Sequence, residues 1–245
     1  MKSRSLRNTL PIKPVIIPGS DKISIIIPAA GTGTRMKSYG PKSLLSINDT
    51  TLINHQLNII AQKIKVPYEI ILVAGYEAEK VFKHTPHNII KVENEYFKTT
   101  NVVRSIGLGL SACTTKNVLL IYGDLVFNHQ TLDIPLTSSW LSTSPTMSEN
   151  EVGCTVNNKQ VVHLSYDLPT KWAQLGYFTD KEFKLLQNIC CKKENGQMFG
   201  FEAINLIIES GGKFQHMSPR NSKANDVDSS KDLQIIHDNK ICLYQ

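Results

Sequence analysis

The chain has 245 residues, enough for one α/β domain with a sizeable core. Hydrophobic residues make up 41% and charged residues 20%, an ordinary globular balance, and no apolar run nears the roughly 20 residues a membrane span needs, so no membrane partner is expected. The formal charge is +6, but Lys2, Arg4, Arg7 and Lys13 all precede the first acid, Asp21; the excess is partly a basic tail, and no nucleic-acid partner is expected.

Residues 1–21, punctuated by Pro11, Pro14 and Pro18, read as a basic N-terminal arm before a domain at 22–245. They lack a continuous apolar segment and a small-residue cleavage site, which argues against a secretory signal. The five cysteines (Cys113, Cys154, Cys190, Cys191, Cys242) form no C-x-x-C pair and are odd in number. Reduced thiols and a cytoplasmic location are the expectation.

The first element is a buried strand at 23–28. It empties into Ala29-Ala30-Gly31-Thr32-Gly33-Thr34-Arg35-Met36, with Pro41-Lys42-Ser43-Leu44-Leu45 close behind. Backbone N–H groups freed by the glycines, together with Arg35 and Lys42, predict a pocket for phosphate oxygens. The loop is not the dinucleotide fingerprint, because Met36 stands where its third glycine belongs. Nor is it a Walker A loop: Pro41 intervenes before Lys42, and Arg35 takes the place of the first glycine. A plain glycine turn is the alternative reading, and Arg35 with Lys42 weighs against it.

Further along, apolar spacing predicts a helix over 52–64, a strand over 69–74 closed by Gly75, and a short helix over 77–82. A strand at 88–92, a helix at 101–112 and a strand at 117–122 ending on Gly123-Asp124 follow. Strands separated by helices predict an α/β fold with a doubly wound, mostly parallel central sheet in a single domain. In such sheets ligands lie beyond the carboxyl ends of the strands, where the glycine loop, Gly75 and Asp124 can share a crevice. The nucleotide-binding half is placed at about 22–130 and the acceptor-binding half at about 131–245. In the second half, 136–150 is rich in Ser and Thr and reads as a loop. Strands are predicted at 152–156, 160–166, 173–178 and 214–217, helices at 180–191 and 198–209, the latter ended by Gly211-Gly212. A last helix begins near Ser229, capped by it or by Asp228.

Moving phosphates of a nucleoside triphosphate calls for a divalent cation, and hard cations take carboxylate oxygens. Asp124, delivered by a rigid strand, is one candidate; an Asp in a strand-ending turn is the bland alternative. In Asn225-Asp226-Val227-Asp228-Ser229-Ser230-Lys231-Asp232-Leu233 two acids one residue apart point the same way if the backbone is extended. Asp228 and Asp226 are the further metal candidates, and Asp232 is expected on the helix surface.

G-x-G-T-R-M with P-K-x-L-L, Val73-Ala74-Gly75-Tyr76, Glu93-Asn94-Glu95-Tyr96 through Asn101 to Ser105, and Asp226-Val227-Asp228-Ser229 together carry a resemblance. Over roughly 22–240 the chain resembles the nucleotidyltransferase superfamily (Rossmann-like, nucleotide-diphospho-sugar transferase-like), nearest to CTP:phosphocholine cytidylyltransferase-like enzymes. It departs from the sugar-1-phosphate branch in having no Glu-Lys-Pro element. It also has Pro28 where the wider family has Leu before Ala-Ala-Gly.

The resemblance implies an Mg²⁺-dependent transfer of CMP from CTP to a small phosphorylated acceptor, phosphocholine-like or phospho-amino-acid-like, destined for a cell-surface polymer. It implies a nucleotide site at Ala29, Ala30, Gly31, Thr32, Gly33, Thr34, Gly75, Tyr76, Asn101 and Ser105. Arg35 and Lys42 would be catalytic, and Asp124, Asp226 and Asp228 would hold the metal. Asn101 could equally cap the helix that follows it. Lys171, Trp172 and Tyr177 are the acceptor candidates, with Tyr166, Phe178 and Phe201 also available for an aromatic cage, though core packing is the blander role for all of these rings. A homodimer is compatible with such an enzyme. Three alternatives remain: a sugar-1-phosphate nucleotidyltransferase using UTP or dTTP, a non-catalytic nucleotide-binding regulator, and a guanylyltransferase of the molybdenum-cofactor type, which carries Gly-Gly-x-Ser in place of Gly-Thr-Gly-Thr.

Overall fold

The computed structural model describes residues 21–33, 40–47, 49–144 and 151–229, with Asp232, Gln234 and Ile236 beyond them. The basic arm before Asp21, Thr34, Arg35, Cys242 and most of the last predicted helix lie outside the described residues.

Strand β1 (Ile23–Ala29) is the axis of the fold. Side chains alternate across a strand, so Ile25 and Ile27 enter one core and Ile26 the other, each fully buried. Burying one such side chain stabilises the fold by about 1.5–3 kcal/mol. A two-residue hairpin, β2 (Ser46–Ile47) and β3 (Thr50–Thr51), leads into α1 (Leu52–Lys63). The Thr51 side chain caps α1 by accepting from the Asn54 N–H. Then come β4 (Tyr68–Ala74), α2 (Ala78–Lys83), β5 (Ile90–Glu93), α3 (Val102–Ala112) and β6 (Val118–Ile121). The second half holds β7 (Leu125–Phe127), β8 (Trp140–Ser144), β9 (Val152–Asn157), β10 (Gln160–Tyr166), β11 (Thr170–Phe178), α4 (Asp180–Cys190), α5 (Gly200–Glu209), β12 (Phe214–Met217) and β13 (Ala224–Asp226).

Nine strands form one sheet in the order β5-β4-β1-β6-β11-β8-β12-β10-β9. The expected parallel arrangement holds from β5 to β6. Beyond β6 the sheet turns mixed: β11 runs antiparallel to β6 and β8, and β10 antiparallel to β12 and β9, with only β8 and β12 parallel. α1 and α2 cover one face with Ile53, Leu57, Ile60 and Val81; α3, α4 and α5 cover the other with Val103, Ile106, Leu186 and Ile207.

One expectation fails. Residues 140–144, read as loop, are a strand buried at every position in the middle of the sheet. Hydroxyls disguise it. Thr143 Oγ1 pairs with His216 Nε2 at 2.7 Å, which satisfies one of the strand's buried hydroxyls, while Ser142 Oγ is buried without a partner among the described residues. A separate pairing of β7 with β13 ties the segment after Asp124 to the segment before Asp228, in the register Leu125 with Asp226.

Candidate active site

The carboxyl ends of β1 and β6 open on a cleft of about 640 Å³. The loop leaving β1 is seated between its neighbouring strands. The Tyr76 N–H donates to Ala30 O at 3.1 Å, and the Gly123 N–H donates to Pro28 O at 3.0 Å. Both seats require glycine: a β-carbon on Gly75 would lie 2.6 Å from Phe97 Cβ, and one on Gly123 would lie 2.5 Å from Ala29 Cβ. Gly33 has φ +55°, and a β-carbon there would meet the Lys42 stem at 3.1 Å. The lysine therefore runs along the glycine loop into the cleft.

Lys42 meets two acids brought from distant parts of the chain. Its Nζ lies 3.3 Å from Asp124 Oδ2 and 2.5 Å from Asp228 Oδ1. Asp124 follows β6, and the Val227 N–H donates to Asp124 O at 3.0 Å, so the β7–β13 pairing fixes the two carboxylates against each other. Burial raises the Asp124 pKa, Lys42 opposes this, and the neighbouring Asp226 and Asp228 raise it again, leaving it above the usual carboxylate range. For Lys42 burial works against the ammonium, but Asp124 and Asp228 more than compensate and its pKa is raised.

A second lysine sits deeper. Lys171 Nζ contacts Glu151 Oε1 and lies 2.8 Å from Asp226 Oδ1, with only 5% of its side chain exposed. Burial lowers its pKa, and Asp226 and Glu151 reverse the shift and raise it. Asp226 thus holds Lys171, while Asp124 and Asp228 share Lys42. Gln174 Nε2 also reaches Asp226 Oδ2 at 3.4 Å, from a backbone at φ +53° where β11 slips register against β8. Left-handed backbone at a non-glycine residue stores roughly 1–3 kcal/mol of strain and recurs at functional sites.

The other predicted residues divide. Ala29, Ala30, Gly31, Gly33, Asn101, Ser105 and Trp172 line the cleft. Asn101 also caps α3, its Oδ1 accepting from the Val102 N–H at 2.8 Å, and Ser105 is tied to the buried Asn94, whose Nδ2 donates to Ser105 Oγ at 3.2 Å. Thr32, Gly75 and Tyr76 are not on its wall; the last two seat the loop. Tyr177 belongs to the core: it is buried and stacks on Trp140 with ring centroids 6.1 Å apart. Phe178 is likewise core, packed edge-on against Phe214. Asp232, expected on the helix surface, folds its carboxylate back onto the backbone N–H groups of Asp228 and Ser229 at 2.9 and 2.6 Å.

Glu151, Tyr122, Gln174 and Phe199 were not anticipated as cleft residues. An acid just after a Ser/Thr-rich run gives no local sign that it will meet a lysine 20 residues on. One rim of the cleft, built from the second half of the chain, is aromatic: Tyr166 and Phe199 are both 47% exposed and both contact Phe201, with ring centroids 5.4 and 6.0 Å away.

Among the described residues no group of three or more His, Cys, Asp and Glu side chains forms a metal cage. The donor set of Asp124 and Asp228, two carboxylates already converged on one positive charge, fits a hard divalent cation such as Mg²⁺. Such a cation keeps several waters and takes one or two protein carboxylates plus substrate phosphates.

Comparison with known proteins gives a consistent picture. The MobA-like NTP transferase domain matches residues 25–174. The bifunctional protein GlmU of Alkaliphilus metalliredigens is 34% identical over 110 residues, covering 42% of this chain and 22% of that protein. The chain thus spans about a fifth of the length of the GlmU relatives it matches. A 38-residue stretch, 16% of each chain, is 55% identical to 2-C-methyl-D-erythritol 4-phosphate cytidylyltransferase of Blochmanniella pennsylvanica. Among solved structures, CTP:phosphocholine cytidylyltransferase from Streptococcus pneumoniae superposes with a TM-score of 0.75 at 17% identity, over 90% of this chain and 100% of that one. The inositol-1-phosphate CTP transferase from T. maritima gives 0.70 at 16% identity, over 96% and 100%. At these identities the superpositions establish a shared nucleotide-diphospho-sugar transferase-like fold. No helix among the described residues is long and apolar enough to cross a membrane.

Proposed function

The chain belongs to the MobA-like NTP transferase domain family, and from that premise we propose that it is a nucleotidyltransferase joining CMP from CTP to a small phosphorylated acceptor. One observation carries the reading: the glycine loop, Lys42, Asp124 and Asp228 converge on a single cleft at the carboxyl ends of β1 and β6. A regulator that had only kept the fold would have no need to hold a lysine between two carboxylates at that point. CTP as donor is supported by the stretch shared with a cytidylyltransferase. An acceptor with an apolar or cationic head is supported by the aromatic rim of Tyr166, Phe199 and Phe201.

In the proposed reaction an anionic phosphate oxygen of the acceptor forms a bond to the α-phosphorus. The bond from that phosphorus to the bridging oxygen breaks, and pyrophosphate leaves with the electron pair. The attacking oxygen carries no proton at neutral pH, so no general base is required. Catalysis rests on positioning and charge neutralisation. Backbone N–H groups of the 29–33 loop face the phosphates, and Lys42 offsets charge developing there. Asp124 and Asp228 are the residues that would hold Mg²⁺, with Asp226 beside them. A bound cation would withdraw negative charge from the phosphate oxygens.

A pyrophosphate-release assay tests the reading, with Mg²⁺, each of CTP, UTP, dTTP and GTP, and a panel of phosphocholine, phosphoethanolamine, phospho-amino acids and hexose 1-phosphates. Release with CTP and a non-sugar phosphate is the expected result. Release with hexose 1-phosphates alone would move the chain to sugar-nucleotide synthesis, and no release with any pair would count against turnover.

A further inference from the structure

Resting on that reading, we infer that Lys42 guards the cation site. Its ammonium lies between Asp124 and Asp228, so the free divalent ion must compete with it for these carboxylates and is taken up poorly, whereas the metal–nucleotide chelate offers the ammonium a phosphate in exchange. The geometry supplies the first half of the argument. The Lys42 ammonium lies within 3.3 Å of one carboxylate and 2.5 Å of the other, and all three side chains are at least two-thirds buried. A dication bound by the same oxygens would put two positive centres a few ångströms apart, where repulsion at reduced dielectric is severe. Lys42 must therefore leave its carboxylates for the site to fill.

The second half concerns where Lys42 can go. Its stem lies along Gly33, where a β-carbon would meet it at 3.1 Å, so its ammonium is carried at the mouth of the glycine loop and the cleft floor. The other carboxylates on that floor are already engaged. Asp226 and Glu151 are paired with Lys171, and Asp232 receives the N–H groups of Asp228 and Ser229. A free ion thus displaces the ammonium, and the other carboxylates on the described floor already have partners. A chelate brings phosphate oxygens to the mouth of the same loop, and Lys42 exchanges two carboxylates for a phosphate in one step. The charge balance agrees: among the described residues the floor carries the carboxylates of Asp124, Asp226, Asp228, Asp232 and Glu151 against the ammonium groups of Lys42 and Lys171, an excess of negative charge that disfavours an uncomplexed triphosphate.

Binding of Mn²⁺ to the full chain, followed by electron paramagnetic resonance without acceptor present, tests this directly. Coupling between two ligands is commonly 5–150-fold. The expected result is that wild type binds Mn²⁺ about tenfold or more tightly with CTP present than with the ion alone. Lys42→Met keeps most of the stem against Gly33 and removes the charge. It should bind Mn²⁺ alone about tenfold more tightly than wild type and lose most of the enhancement by CTP. The Asp228→Asn variant should bind the ion weakly in either case. Equal Mn²⁺ affinity of wild type with and without CTP would overturn the inference. So would a Lys42→Met protein, folded by circular dichroism, that binds Mn²⁺ alone no better than wild type. The comparison with Mn²⁺ alone needs no nucleotide or turnover, so it can fail while pyrophosphate release stands, and release can fail while it stands.

Discussion

The two halves of the sheet each deliver a lysine clasped by two carboxylates to the same cleft, and the two clusters differ in burial. Lys42 comes from the parallel half, with 16% of its side chain exposed and partners at 30% and 32%. Lys171 comes from the antiparallel half, at 5%, with partners at 17% and 14%. Desolvating a charge is costly, and a buried pair holds only while each member is matched. The half-open cluster is therefore the one placed to exchange partners, as the proposed reaction requires, whereas the closed one ties β11 to β13 and to Glu151 just before β9. A lysine between two carboxylates is thus proposed to serve chemistry in one place and architecture in the other, with solvent access the difference between them.

The sharpest way to break this comparison is to remove each lysine in turn. Lys171→Met leaves Glu151 and Asp226 facing each other without their cation. It should cost about 3–5 kcal/mol in denaturant unfolding, the usual cost of stranding one side of a buried pair. Adding Asp226→Asn should recover a large part of that loss. If Lys171→Met instead leaves stability intact and raises the acceptor KM alone, Lys171 is a ligand for acceptor phosphate and the architectural assignment is wrong. A smaller effect in free energy, but a larger one on rate, is expected from the open cluster. Asp228→Asn should lower kcat by about 10²–10³-fold, as losing one preorganised charge contact typically does, with little change in unfolding. Near-normal turnover in that variant would remove Asp228 from the cation site.

The parallel half was largely legible from sequence because its signals are local. A run such as Ile25-Ile26-Ile27 can be little else than a strand buried on both faces, and the glycine loop and Pro41-Lys42 lie within 20 residues of it. The antiparallel half hides its logic. Trp140–Ser144 looks polar because three of its five residues carry buried hydroxyls, and the partner of Thr143 is His216, more than 70 residues away. The β7–β13 pairing, which sets the distance between Asp124 and Asp228, is three residues long and has no periodicity to read. The acids at 226 and 228 could be singled out, but not their division of labour. The extended backbone does carry both to the cleft, and only the position of Lys171 shows that Asp226 is already engaged. Tyr177 illustrates the converse: an aromatic beside apparent site residues, yet on the face of β11 turned into the core.

The comparison extends to the two ends of the parallel strands, and here the expected effect is smallest. At the amino end, away from the cleft, Glu69 receives Lys22 Nζ at 2.6 Å, Ser24 Oγ at 2.7 Å and the Thr114 N–H at 2.7 Å. Burial pushes its pKa up, but Lys22, Thr114 and Ser24 outweigh burial and bring it down to about 2 from an ordinary 4.5. A carboxylate whose folded pKa is depressed stabilises the fold fully above its unfolded value, and that contribution drains away as pH falls from 4.5 toward 2. Wild-type urea midpoints should therefore fall across that window, and Glu69→Gln should flatten part of the fall while leaving pyrophosphate release at neutral pH unchanged. Asp124 is shifted the other way, upward, first because burial disfavours its charged form and then because Asp226 and Asp228 lie close by, with Lys42 opposing both. One acid has been given every partner it can use, while the other is buried beside two further carboxylates with one lysine between them, the arrangement that the proposed cation site would use. Parallel acid slopes in wild type and Glu69→Gln would show that Glu69 is no better solvated in the fold than in the unfolded chain, and the contrast between the two ends would then rest on Asp124 alone.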